Sequence, residues 1–390
     1  MWVPDPHPDE IALIQLLCCP DTHFSSLWMQ HHMLFHSTER WQSKRLLSQI
    51  YFRALHLMGS HLPQMESLKH VAELQQKKNN QFIQAFDYIA NALRKDDILF
   101  VPLKGMDLLL RLPEAFQGRF LADIDLLTAP ELMAKTLVTL LRMGYYHKSK
   151  SKLNLEFNTH AVTLEHSSLP PIDLHQAPLF TQQDHFRNQR LWQRLQSTIT
   201  TLDSVSMLAL PETIFFMLMH GHRAYIGERN FYWISDVNTL LTRPETPREI
   251  FDLLESLALT YRLKGSLEHT LYLMKQFNLD IVENINSKVT PTSYSKVEQV
   301  LNRVLVFQYY STTCNRRLRD HSLTQLISSF WNQYQLCCLC RNRFIDPIEY
   351  LKSIGSCDNS LMNLRQILSL FLIWTKHQVS KWRNAILKHE

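Results

Sequence analysis

Apolar positions along the first ninety residues recur at helical spacing. Residues 9–19 place Ile11, Ile14, Leu17 and Cys18 on one face, and residues 38–58 repeat Trp41, Leu46, Ile50 and Leu57 near a 3.6-residue period. A third helix is predicted from about residue 68 to residue 94. The pattern changes at Asp96. Residues 98–103 form a continuous apolar run that suits a buried strand, and a short helix is predicted from Met106 to Leu112. Residues 120–128 alternate Asp123 and Asp125 against Ala122, Ile124 and Leu126, which predicts a second strand. Pro130 and Glu131 open a helix that Gly144 closes. Further strands are predicted at 145–148, 153–157, 160–165 and, beyond a Ser/Pro turn, 172–175. Helical spacing returns at Pro211 and continues through 211–222, 233–241, 248–258, 262–277, 293–309, 322–342 and 360–386.

This order predicts an α+β protein: a small mixed sheet flanked by N-terminal helices and a C-terminal helical domain. The expected units are an N-terminal helical region over 1–80, a mixed core over 81–205 and a helical domain over 206–390. Strands are expected only between about residues 96 and 180.

Composition narrows the chemistry. Only 8 glycines occur in 390 residues, and neither the P-loop nor the dinucleotide fingerprint is present. A net charge of +5 suits a small anionic substrate better than a long nucleic acid. The 7 cysteines form no regular framework, which points to a reducing compartment. Cys337 and Cys340 make a C-x-x-C followed only by Cys357, which fits helical core better than a zinc site. The basic run Arg316, Arg317, Arg319 reads as a solvated helix face. The opening residues lack a basic-then-apolar leader, and the longest apolar run, 367–374, is too short to span a bilayer. A cytoplasmic location without membrane contact is expected.

Asp123 and Asp125 carry the most specific chemistry. Side chains at i and i+2 of a strand point the same way, so the two carboxylates would lie side by side. Such a pair repels unless a cation sits between its members. Hard oxygen ligands suit Mg²⁺ or Mn²⁺, which usually binds one or two carboxylates and completes its sphere with water and phosphate oxygens. If the 172–175 strand lies beside this one, Asp173 becomes the third acid, a metal ligand or a general base. Gly105 would let backbone N–H groups approach a triphosphate, with Lys104 and Arg119 as phosphate contacts. His175 and His160 are further substrate-contact candidates, and His220 and Arg223 share a helix face that could line the cleft. A plainer reading makes Asp123 a strand-entry cap, Asp125 a surface partner of Arg119, Trp233 a packing residue and Asp236 an interhelical hydrogen-bond partner.

The stretch from Val101 to Gly105, Arg119, the run from Ala122 to Leu127, Met143-Gly144-Tyr145 and the Ile172-Asp173-Leu174-His175 segment together resemble the uncharacterised nucleotidyltransferase family of bacteria. That family belongs to the polymerase-beta-like nucleotidyltransferase superfamily, and the resemblance covers about residues 80–245, with His160, His220, Trp233 and Asp236 included. It implies a nucleotidyltransferase core with Asp123 and Asp125 as metal ligands and Asp173 as third acid. Two departures from the superfamily stand out. Lys104-Gly105 replaces its Gly-Ser or Gly-Gly turn, and the gap from Gly105 to Asp123 is longer.

The expected activity is metal-dependent transfer of a nucleoside monophosphate from a nucleoside triphosphate, ATP among them, to a small-molecule acceptor. The rival readings are a catalytically inactive nucleotide-binding regulatory protein, or a toxin or effector that modifies a protein or tRNA.

Overall fold

The computed structural model describes residues 7–37, 44–147, 161–179, 200–202, 205–228 and 231–277. The strand expected at 153–157, the helices expected at 293–309, 322–342 and 360–386, His160, the Arg316–Arg319 run and the Cys337–Cys340 pair lie outside them.

The helices in chain order are α1 (Pro8–Cys18), α2 (Asp21–His31), α3 (Leu34–Ser37), α4 (Leu47–Met58), α5 (Met65–Lys95), α6 (Lys104–Arg111), α7 (Met133–Arg142), α8 (Leu210–Glu228), α9 (Trp233–Leu241), α10 (Ile250–Tyr261) and α11 (Lys264–Gln276). The strands are β1 (Phe100–Pro102), β2 (Ile124–Thr128), β3 (Ala161–Leu164), β4 (Ile172–His175), β5 (Thr200–Leu202) and β6 (Val205–Met207). The protein is α+β, with a small mixed sheet and flanking helices. Helix α5 buries Leu68, Ala72, Phe82, Phe86, Ile89 and Leu93 and runs unbroken through residue 80. One apolar cluster extends from Leu13 through the sheet to Phe277.

The main sheet has the order β1-β2-β4-β3. β1 and β2 pair antiparallel, β2 and β4 pair parallel, and β3 and β4 pair antiparallel. Strict alternation sets the faces of the two central strands. Ile124, Leu126, Ile172 and Leu174 are completely buried on the core side. Asp125, Asp173 and His175 therefore share the other face.

Several strands are shorter than their patterns predict. β2 begins at Ile124, not residue 120, because its partner is preceded by Pro170 and Pro171. Proline has no N–H to donate, so the ladder stops where Ile124 N–H donates to the Pro171 carbonyl at 2.9 Å. Asp123 thus sits in a bend one residue ahead of the strand. β1 is confined to residues 100–102 because Ile98 N–H still bonds back to Leu93 in the α5 cap, and, after Leu103 N–H donates once more to the Asp125 carbonyl, the chain turns into α6 at Lys104. Of the strand expected at 145–148, the described residues 145–147 supply a bridge between Tyr146 and Glu165. The mixed region does not end near 180, since the β5–β6 hairpin reaches Met207. Helix α2 was not legible as a helix in the sequence.

Candidate active site and metal centre

Parallel pairing puts Asp125 directly opposite Asp173, and Leu127 opposite His175. Neighbouring strands lie only about 4.8 Å apart, so two acids in register are forced together. Ligand atoms of Asp125, Asp173 and His175 all lie within 4.8 Å of one another. Asp125 is nearly inaccessible, at 5% exposure, and two nitrogen-bearing side chains meet it. Lys104 Nζ donates to Oδ1 at 2.6 Å, and His175 Nε2 lies 2.8 Å from the same oxygen. Thr163, opposite Asp173 on β3, donates its hydroxyl to Asp173 Oδ1 at 2.6 Å.

The electrostatics record this crowding. Burial pushes the Asp125 carboxyl up, but Lys104 and His175 outweigh it and hold it well below the usual range. Asp123 is half-buried and has no such donor. Burial, then the charges of Asp125 and Asp173, push it up to about 7 against the pull of Lys104 and Arg119. Burial acts to discharge Lys104, but Asp125, with smaller help from Asp123 and Asp173, keeps its pKa above the ordinary value. His220 on α8 is held well below the ordinary imidazole value, by burial first and next by the charge of Lys104, so it adjoins the site as a neutral ring.

Lys104 opens α6 with φ +50°, a left-handed backbone that costs a non-glycine residue about 1–3 kcal/mol and needs surrounding support. That conformation turns its side chain to Asp125. Gly105 follows, and a Cβ there would lie 2.2 Å from Arg119 Nη1 and 2.4 Å from Leu121 Cδ2. The absent side chain therefore makes room for Arg119.

Arg119 is committed elsewhere. Its Nε donates to both oxygens of Asp236 at 3.0 Å, its Nη2 donates to Oδ2 at 2.7 Å and its Nη1 donates to the Phe120 carbonyl at 3.0 Å. Both partners are buried, and Asn79 Nδ2 donates to the Arg119 carbonyl at 3.0 Å. The guanidinium thus clamps the 119–121 segment to α9. Trp233, at the start of α9, packs on Gly221, where a Cβ would come within 2.3 Å of the indole.

Of the residues named from sequence, Asp125, Asp173, His175 and Lys104 meet on one sheet face, with Asp123 at its edge. Arg119 stands behind that face against Asp236, not at the position of Asp125's surface partner. Two contributions were not anticipated. Thr163 has no signal of its own and acquires its place only through the β3–β4 register. Lys104 as a direct partner of Asp125 depends on a backbone turn that residue type does not announce.

A model of the family described as "Uncharacterised nucleotidyltransferase" matches residues 40–278, well over half of the chain. The chain belongs to that family. The match spans α4 through α11 and so includes every residue of the acidic face. No curated protein and no solved structure matches the chain. Family membership implies a nucleotide substrate, and Asp125, Asp173 and His175 lie close enough together that they could hold a metal ion. Among the described residues no helix is long and apolar enough to cross a membrane.

Proposed function

We propose that this chain transfers a nucleoside monophosphate from a nucleoside triphosphate to a small-molecule acceptor, with Asp123, Asp125 and Asp173 holding Mg²⁺ or Mn²⁺. The parallel register of Asp125 with Asp173 carries this reading. Three acids drawn together in a desolvated place are repulsive, and the rise of the Asp123 carboxyl expresses that repulsion. A divalent cation relieves it, and hard carboxylate oxygens suit Mg²⁺ or Mn²⁺. The bound cation would neutralise triphosphate charge and help ionise the attacking oxygen.

The chain's own groups do the rest. His175 orients Asp125 through its hydrogen bond, and Thr163 does the same for Asp173. Lys104 fills the cationic role at Asp125 until a cation replaces it, and its ammonium then serves the triphosphate. The backbone N–H groups at the start of α6 present a partial positive charge to the same anion. The acceptor oxygen attacks the α-phosphorus as the bond to the β-phosphate oxygen breaks. Pyrophosphate leaves, and the acceptor proton passes to Asp173. Arg119 acts at one remove, keeping the Lys104-Gly105 turn and the Asp123 segment in place.

The test follows pyrophosphate release from each of the four common nucleoside triphosphates, with Mg²⁺ or Mn²⁺ and a panel of hydroxyl- and phosphate-bearing metabolites. Release by the natural sequence, and its loss in Asp125→Asn with Asp173→Asn at unchanged circular dichroism, is the expected result. Nucleotide binding by calorimetry without release from any combination would instead indicate a binding protein. Release unaffected by the double substitution would remove these acids from the mechanism.

A further inference from the structure

A cavity of about 900 Å³ opens between α4, the 114–117 turn, the α1–α2 junction and α9. None of Lys104, Asp123, Asp125, Asp173 or His175 lines it. Helix α9 separates the two places, turning Asp236 to Arg119 and presenting Ser235, Asn238, Thr239 and Thr242 to the cavity at i, i+3, i+4 and i+7 spacing.

The lining has a definite chemistry. Gln49 lies at the cavity wall with 8% of its surface exposed, and its amide makes no hydrogen bond to another described residue, so it faces the water of the cavity. A guest with hydroxyl groups can take the place of that water at the amide. Asn238, at 5% exposure, spends an amide proton on only a long 3.5 Å contact to the Cys18 carbonyl. The cations nearby are already matched. Arg53 donates to the Leu16 carbonyl at 2.7 Å and to Asp21 at 2.8 Å, while Arg243 is paired with Glu245 at 3.3 Å. Phe52 adds an apolar ring and Glu114 a carboxylate to this amide- and hydroxyl-rich wall. Such a volume falls in the usual range for small-molecule sites, about 300–1,000 Å³.

We propose that this cavity is a binding site for an uncharged, hydroxyl-rich small molecule of sugar or nucleoside size, separate from the carboxylate face. Gln49 and Asn238 supply donors and acceptors to its hydroxyls, Ser235 and Thr239 of α9 with its cap residue Thr242 add hydroxyl oxygens that accept, since their protons go to helix carbonyls, and Phe52 packs against its apolar face. The proposal is independent of the transferase reading.

The experiment is saturation-transfer NMR on the full chain with myo-inositol, sucrose and adenosine as separate probes, each at millimolar concentration. Saturation transfer to at least one probe is expected, falling at least fivefold in Gln49→Leu and in Thr239→Trp, which fills the cavity. It should persist in Asp125→Asn, which separates this site from the carboxylate face. Adenosine alone responding would narrow the class to nucleosides, and a sugar or polyol responding would narrow it to carbohydrates. Absence of transfer to all three probes overturns the proposal, as does undiminished transfer in a folded Gln49→Leu variant.

Discussion

Replacing Asp236 by Leu strands the Arg119 guanidinium in the interior. The pair is joined by three N–H···O contacts of 3.0, 3.0 and 2.7 Å, and its side chains are only 8% and 1% exposed. Removing one partner of a buried ion pair typically costs about 3–5 kcal/mol, because the remaining charge is left without compensation. Replacing both by apolar groups of similar volume is often neutral. Asp236→Leu should therefore lower the urea-unfolding free energy by about 3–5 kcal/mol, and Arg119→Met with Asp236→Leu should recover most of that loss. Arg119 cannot shed its charge, whereas a stranded carboxylate can take up a proton. Asp236→Leu should accordingly cost more than Arg119→Met at mildly acidic pH. The assay is a double-mutant cycle by urea denaturation, with nucleoside triphosphate affinity measured on each folded variant. If Arg119 positions the site from behind, the double variant keeps measurable affinity as well as stability. A cost under about 1 kcal/mol for Asp236→Leu, or strictly additive single effects, would refute the clamp. A stable double variant with no nucleotide affinity would return Arg119 to the phosphates.

Gly105→Ala forces a methyl group to within 2.2 Å of an Arg119 nitrogen that is itself pinned, so it should destabilise by about 1–3 kcal/mol in urea denaturation, whereas no measurable change would show slack in that contact. Lys104→Met removes the ammonium 2.6 Å from Asp125 Oδ1, and should tighten Mn²⁺ binding in a paramagnetic titration while weakening nucleoside triphosphate binding. Asp123 is raised in the folded protein from its ordinary value to about 7. Its contribution to stability without metal is therefore fully present below the unfolded pKa near 3.8 and is lost as pH rises towards 7. Protons also compete with a cation there, so Mn²⁺ affinity should climb up to about tenfold per unit between pH 5 and 7 and level off above, and Asp123→Asn should flatten that dependence.

What was legible in the sequence was periodic. The alternation around Asp125 and in residues 172–175 pointed to the two central strands, while the parallel pairing that brings Asp173 and His175 to the face of Asp125 is a fact of the structure. Long helical spacing gave α5 and the helices that follow residue 210. Strand ends were not legible, because they depend on partners: Pro171 truncates β2 from across the ladder, leaving Asp123 outside it. The hairpin from Thr200 to Met207 has three-residue strands, too short for alternation to register. The role of Arg119 was ambiguous for the same reason. A phosphate contact and a buried clamp need the same residue type, and only Asp236, 117 positions away, distinguishes them.

A crystal soaked in Mn²⁺ and examined for anomalous scattering tests the central claim most directly. The expected result is a peak shared by the Asp125 and Asp173 carboxylates, with Lys104 Nζ displaced from Asp125 Oδ1. A peak elsewhere, or Lys104 still seated on Asp125 in fully soaked crystals that show no ion there, would contradict it.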